Sequence, residues 1–362
     1  MIQRFALLAI TLVAFGNGAA ARAGNVTAKP VHGSIVLTGS SDGDEIAIQQ
    51  SSATIDVVGL NGTTLNGLPA GEHLLVSPLD KDLRIDLRGG ANVLQLTSVL
   101  VPRDLRVRVG SGVDTVSMVT SQITRDVRVA AGDGFNTFNF SNNAIGRALR
   151  ISGGADDDIA NVVTSAGDRA LQIRLGAAGA NGNQVNLSTL GAGNCRLKIT
   201  GGRDLDEVNA ASVVVFSARI SLGSGDDQFN SNVMQAFTSF RLSSGGGNDA
   251  VNCGSLNGGD RMRVDLGSGA NSFAMSTPYG SGAITVLGRS GPDTISIAQQ
   301  STVNGITVAA GNGNNSVTVT GCTVGKNLSV RTGDDDDTLT VNSNTVAGKT
   351  RIKHGKGADI VN

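Results

Sequence analysis

The stretch that decides the fold is Leu105–Ala148. Leu105–Asp126 reads LRVRVGSGVDTVSMVTSQITRD, and Val127–Ala148 reads VRVAAGDGFNTFNFSNNAIGRA. Set one above the other, the two lines share a grammar. Positions 1, 3 and 5 are apolar, positions 6 and 8 are Gly, position 10 is Asp or Asn, and positions 12 and 14 are apolar. Apolar residues alternating with period 2 on both sides of a Gly-rich turn predict strand, tight turn, strand. A weaker apolar position near 19 predicts a third short strand or bend that returns the chain.

Working outward, the pattern holds for twelve complete units from Leu83 to Lys349, with a thirteenth cut off at Asn362. Two units near Leu171 and Cys195 need insertions of one or two residues, and the units from Ala218 to Lys349 keep 22 throughout. One such unit buries too little to be stable alone, whereas stacked units share a continuous core. The expected fold is therefore all-β: a single-stranded parallel β-helix (β-solenoid), about 22 residues per coil, right-handed by the crossover rule. The composition fits this repeat. Fifty Gly and 27 Asp against 3 Glu disfavour a helical bundle, and 40% hydrophobic residues disfavour disorder.

The ends differ from the repeat. Residues 1–23 read as a signal peptide: Arg4, an apolar run from Phe5 to Phe15, then Ala21-Arg22-Ala23 as cleavage site. Export to the cell exterior or surface is the expectation, and no other stretch is apolar enough to span a membrane. Residues 24–82 read as an N-terminal cap with irregular first coils. Asn61-Gly62 and Asn66-Gly67 favour hairpin turns there. Residues 83–362 form the repeat domain, which stops just after a turn and is expected to be a truncated piece of a longer solenoid.

Stacking converts repeat positions into columns. Position 10 is Asp or Asn in every coil, from Asn92 and Asp114 to Asp337 and Asp359. Such side chains hydrogen-bond nearby backbone at turns. They also suggest an acidic ridge, with oxygen ligands suited to Ca²⁺. Acidic clusters along it give the candidate metal ligands: Asp156, Asp157 and Asp158; Asp226 and Asp227; Asp334, Asp335, Asp336 and Asp337. Position 2 carries Arg84, Arg106, Arg128, Arg150, Arg196, Arg219, Arg241 and Arg263. Positions 1 and 3 point inward, so this column points outward. It reads either as a solvated face or as a track for a polyanion such as an acidic polysaccharide or cell-envelope polymer. No aromatic platforms interleave it, which argues against nucleic acid. Position 13 stacks Asn139, Asn161, Asn186, Asn209, Asn230 and Asn252, an amide ladder on the second face.

GSGVDTVSM (Gly110–Met118), GSGDDQFNS (Gly223–Ser231) and GDDDDTLTV (Gly333–Val341) resemble the calcium-binding nonapeptide of RTX-type secreted repeats. That resemblance implies bound Ca²⁺. It covers about nine residues of each unit and occurs once per coil, where RTX repeats run in tandem. The longer pattern, with LNGTTLNG at Leu60–Gly67, is similar to uncharacterised secreted bacterial β-helix repeat proteins, which implies export and fold.

Catalytic chemistry is sparse in the sequence. His32, His73 and His354 lie far apart, which disfavours a His-based triad. Cys195, Cys253 and Cys322 fall at positions 1, 14 and 17 and read as buried free thiols. One Tyr and no Trp leave few sugar platforms. The expectation is a non-enzymatic, adhesin-like surface or matrix module. Calcium or polyanion binding is the alternative, and a polysaccharide-active enzyme a second one.

Overall fold

The alternation read from Leu105–Ala148 becomes strands in which every second side chain enters the core. Leu105, Val107 and Val109 are buried in one strand, and Val116 and Met118 in the next. The computed structural model describes residues 24–362 apart from 52–53, 78, 178, 180, 277–279 and 303. The leader expected over residues 1–23 lies outside the described residues.

The chain is a parallel β-solenoid of about 12 coils. Coil follows coil in register: Leu83, Leu105, Val127 and Leu149 stack, as do Leu94, Val116, Phe138 and Ala160. Positions 1–5 build a first face and positions 11–15 a second. The two join into one 29-stranded sheet through three long strands, Asn183–Thr200, Asp206–Ser224 and Gln228–Gly246. The third face is made of two-residue strands near positions 18 and 19. Three lie between Leu100 and Ile145, and four between Gly280 and Val346.

The turn between the first two faces explains the glycines. At position 8, Gly112 and Gly269 have φ of 136° and 124°, where an L side chain is strained. A Cβ on either would also collide with the carbonyl oxygen of the glycine one coil below, Gly90 or Gly247.

The first coil is covered by hairpins. Ser34–Thr38 stacks in parallel on Leu83–Asp86, and Glu45–Ser51 on Val93–Thr97. Their outer edges are paired antiparallel, by Asn25–Val31 and Thr54–Gly59 respectively. Thr54–Gly59 in turn takes His73–Val76 antiparallel. Asn61-Gly62 and Asn66-Gly67 have positive φ at both residues, the conformation that tight primed turns require. Capping in this way covers the parallel edges of the first two faces at that coil.

Candidate functional site

Three polar columns carry the chemistry of the molecule. The position-10 column is buried from Asp44 to Asp337. This corrects the expectation of an acidic ridge, because these carboxylates face the interior of the turn. Several accept a hydrogen bond through Oδ1 from the backbone N–H one coil below. The donors are Asn92 to Asp114 (2.9 Å), Asp206 to Asp227 (2.8 Å) and Asn315 to Asp337 (2.9 Å).

The column also has an order. From Asp44 it alternates: Asp44, Asn92, Asp114, Asn136, Asp158, Asn183, Asp206, and again Asp249, Asn271, Asp293, Asn315, Asp337. Each Asn directs Nδ2 to the carboxylate one coil above, at 2.8–3.0 Å for Asn92, Asn136, Asn183, Asn271 and Asn315. Several also donate Nδ2 to carbonyls of the turn, as Asn92 does to Gly90 and Asn315 to Gly313. At the Asp rungs that second position is an oxygen. Oδ2 of Asp114, Asp158, Asp227, Asp249, Asp293 and Asp337 is buried without a hydrogen-bond partner. Burial accordingly pushes Asp114 and Asp293 up to about 6 and Asp158 to about 7. Asp227 interrupts the alternation, sitting between Asp206 and Asp249. Burial, then the charges of Asp206, Asp249 and Asp226, push it up to about 8.

The residues proposed as metal ligands divide accordingly. Asp158, Asp227 and Asp337 belong to the buried column, whereas Asp156, Asp226, Asp334, Asp335 and Asp336 are exposed. Four of the exposed ones cap backbone N–H groups of adjacent coils. Asp226 accepts from Asn248 (2.7 Å), Asp334 from Lys356 (3.2 Å), Asp335 from Gly313 (3.0 Å) and Asp336 from Ala358 (2.8 Å). Asp157 is buried and accepts from Asn181 and Gly182. Burial raises its pKa, but these donors outweigh it and hold the carboxyl below its usual range. Among the described residues, no three His, Cys, Asp or Glu side chains converge on a point that could hold a metal ion.

The Arg column of the first face is built as expected over its first four members. Arg84, Arg106, Arg128 and Arg150 stack in register. At Arg196 the expectation needs correction. The inserted residues shift the phase by two, so that Lys198 pairs with Gln172 below and Arg219 above, while Arg196 stands one coil above Ala170 and beside Ser217. Arg219, Arg241 and Arg263 continue the column above Lys198.

A column missed in the sequence lies beside it, at position 22. Asp82 holds Arg84 and Arg103 (2.9 and 3.9 Å), Asp104 holds Arg106 and Arg125 (3.4 and 3.5 Å), and Asp126 holds Arg128 and Arg150 (4.0 and 3.5 Å). Burial raises the Asp82 carboxyl, but the Arg84 and Arg103 charges and the Asp104 N–H prevail and lower it. The signal was present in the same alignment, as the last residue of each line. Farther along, Asp265 is shared by Arg263 and Arg289.

The amide ladder forms as read. Asn161, Asn186, Asn209, Asn230 and Asn252 each donate Nδ2 to the Asn Oδ1 one coil below, at 2.8–3.2 Å. Cys195, Cys253 and Cys322 are buried free thiols. Burial pushes Cys195 up to about 11 and Cys253 up to about 12, which keeps them unreactive. Among the described residues no helix is long and apolar enough to cross a membrane. Compared with protein-family models, curated proteins and solved structures, the chain matches none.

Proposed function

We propose that the protein is a non-catalytic, elongated scaffold that acts outside the cell as a surface or matrix spacer of the adhesin-like kind. The observation that carries this reading is that the polar columns are committed to the stack itself. Position 10 bonds coil to coil, position 13 is an amide ladder, and the exposed turn carboxylates cap backbone N–H groups of the next coil. At ~4.8 Å per coil, about twelve coils give a rod on the order of 60 Å long, suited to holding two things apart. Export rests on the leader-like sequence of residues 1–23.

Two measurements test the reading. Edman sequencing of the mature protein from fractionated cells is expected to begin at Gly24, in the extracellular or envelope fraction. Incubation with a panel of polysaccharides is expected to release no new reducing ends. Turnover that disappears when one carboxylate pair is replaced would overturn the non-catalytic reading.

A further inference from the structure

Along the first face, the middle coils differ from the N-terminal ones in what surrounds the cations. Lys198, Arg219, Arg241 and Arg263 occupy successive coils, ~4.8 Å apart. At position 22, where Asp82, Asp104 and Asp126 hold guanidinium groups lower in the rod, the middle coils carry Arg196, Ser217, Ser239 and Arg261. The carboxylates are gone and two more guanidinium groups stand in their row. Among the described residues, Arg196, Lys198, Arg219, Arg241 and Arg261 have no carboxylate within 4.0 Å. Asp265, at the upper end of the groove, is already shared by Arg263 and Arg289.

Two further features flank this column. On one side Ser221 and Ser243 line a shallow groove of about 270 Å³ together with Arg219, Arg241 and Arg263. On the other, Phe216 and Phe237 are 37% and 46% exposed, whereas Phe138, Phe140, Phe229, Phe240 and Phe273 are buried in the core. Val215 pairs with Ala236, which brings the two Phe onto adjacent coils. The Arg196 guanidinium lies 5.9 Å from the Phe216 ring centroid. Unpaired guanidinium forks bind carboxylates in a bidentate manner, and exposed rings pack against apolar faces.

We propose that this surface binds an extended acidic polysaccharide lying along the rod axis. Lys198, Arg219 and Arg241 take its carboxylates, the groove hydroxyls its sugar hydroxyls, and Phe216 and Phe237 the C–H faces of its rings. A straight line of cations, one per coil, suits a polymer with anionic groups at regular intervals. Single-stranded nucleic acid needs aromatic platforms in step with the cations. Here the two rings stand at one edge of the column and not in step with the cations. The inference goes beyond the scaffold reading and stands or falls separately, since it says nothing of catalysis or export.

Calorimetric titration with oligogalacturonate, at low and high salt, tests it. Salt-sensitive binding to the unaltered protein is expected. Lys198→Ser/Arg219→Ser/Arg241→Ser should weaken it by about tenfold or more, and Phe216→Ala/Phe237→Ala by several-fold. Arg106→Ser/Arg128→Ser/Arg150→Ser, taken from the ion-paired coils, should change it by less than about threefold. All these side chains are exposed or ion-paired at the surface, and an unchanged melting temperature verifies folding of each variant. Equal losses in the two cation triples, no binding at low salt, or tighter binding of single-stranded DNA of the same charge would overturn the proposal.

Discussion

The middle coils, residues 183–257, and the coils on either side are built from one repeat, yet they satisfy their backbone differently. In several flanking coils the corner after the second face carries a short polar side chain at position 17, although the first coil has Val99 there. Ser121 Oγ accepts from the Val99 N–H, Asn143 Oδ1 from Ser121, and Ser165 Oγ from Asn143, at 2.9–3.1 Å. Near the C-terminus Asn344 Oδ1 accepts from Cys322 (2.9 Å) in the same way. There the side chain replaces the backbone acceptor, and the strand stops. In the middle coils this position is Leu190, Val213, Met234 and Leu256, all buried. An apolar side chain cannot accept, so the backbone ladder runs on and strands of 18 and 19 residues result. The same coils place Arg196, Ser217, Ser239 and Arg261 where the first coils carry Asp82, Asp104 and Asp126, and they break the Asp/Asn alternation. What the N-terminal coils commit to ion pairing, the middle leaves free at its surface.

The comparison is broken most severely through the core. Phe229 and Phe240 pack against each other in the core of the middle coils, with centroids 5.8 Å apart. Phe229→Ala is expected to destabilise by about 3–5 kcal/mol in denaturant unfolding, against about 1 kcal/mol for Ile297→Val. A smaller effect is expected from exchanging the corners. Asn143→Leu leaves the Ser121 N–H and the Met118 carbonyl (2.8 Å from Asn143 Nδ2) without partners. Met234→Asn buries an amide where the backbone is already paired. Each should cost about 2 kcal/mol. A neutral result at either site would show that backbone and side-chain pairing at this corner are interchangeable.

The fold was legible because the code repeats. Period 2 around a Gly-x-Gly turn, held at one spacing, admits few architectures, and the register observed follows it. The buried face of position 10 was not legible, because an Asp that caps a turn and an Asp that binds a cation have the same spacing. What separates them is that Oδ1 meets the N–H one coil below. Arg196 was misplaced for a related reason. The insertion before Cys195 can be absorbed on either side of it, and only the pairing of Lys198 with Gln172 and Arg219 fixes the phase. Asp104 and Asp126 were overlooked as the last residue of each line, although they neutralise much of the column beside them.

Next in size comes the broken alternation. The Asp227 pKa is raised from the ordinary 3.8 to about 8. The native state therefore holds a proton that the unfolded chain has released above pH ~4. Its contribution to stability is full below pH ~4 and is lost as pH rises toward 8 and above. Asp227→Asn restores the alternation and provides Nδ2 to the Asp249 carboxylate. It should raise stability by about 1–2 kcal/mol at pH 9 and flatten the fall between pH 4 and 8. Asp293→Asn, in a flank where Asn271 already donates to the carboxylate (2.9 Å), should change stability at pH 9 by less. Equal gains at the two sites would mean that burial alone, and not the run of three Asp, sets the pH dependence.

The smallest effect concerns the surface cations and transfers a feature between regions. Asp104→Asn removes the carboxylate shared by Arg106 and Arg125, and exposed pairs of this kind are worth about 0–1 kcal/mol. The loss should be measurable at low salt and vanish at high salt. Ser239 stands at the equivalent position in the middle, between Ser217 and Arg261 in neighbouring coils, and directly precedes the coil that carries Arg241. Ser239→Asp installs there the carboxylate that the N-terminal coils carry as Asp82, Asp104 and Asp126. Stability should change by a few tenths of a kcal/mol at most, while affinity for oligogalacturonate falls several-fold as the new charge occupies Arg241 and Arg261. If stability and affinity both stayed fixed, the absence of that one carboxylate would not be what distinguishes the middle coils from the rest of the rod.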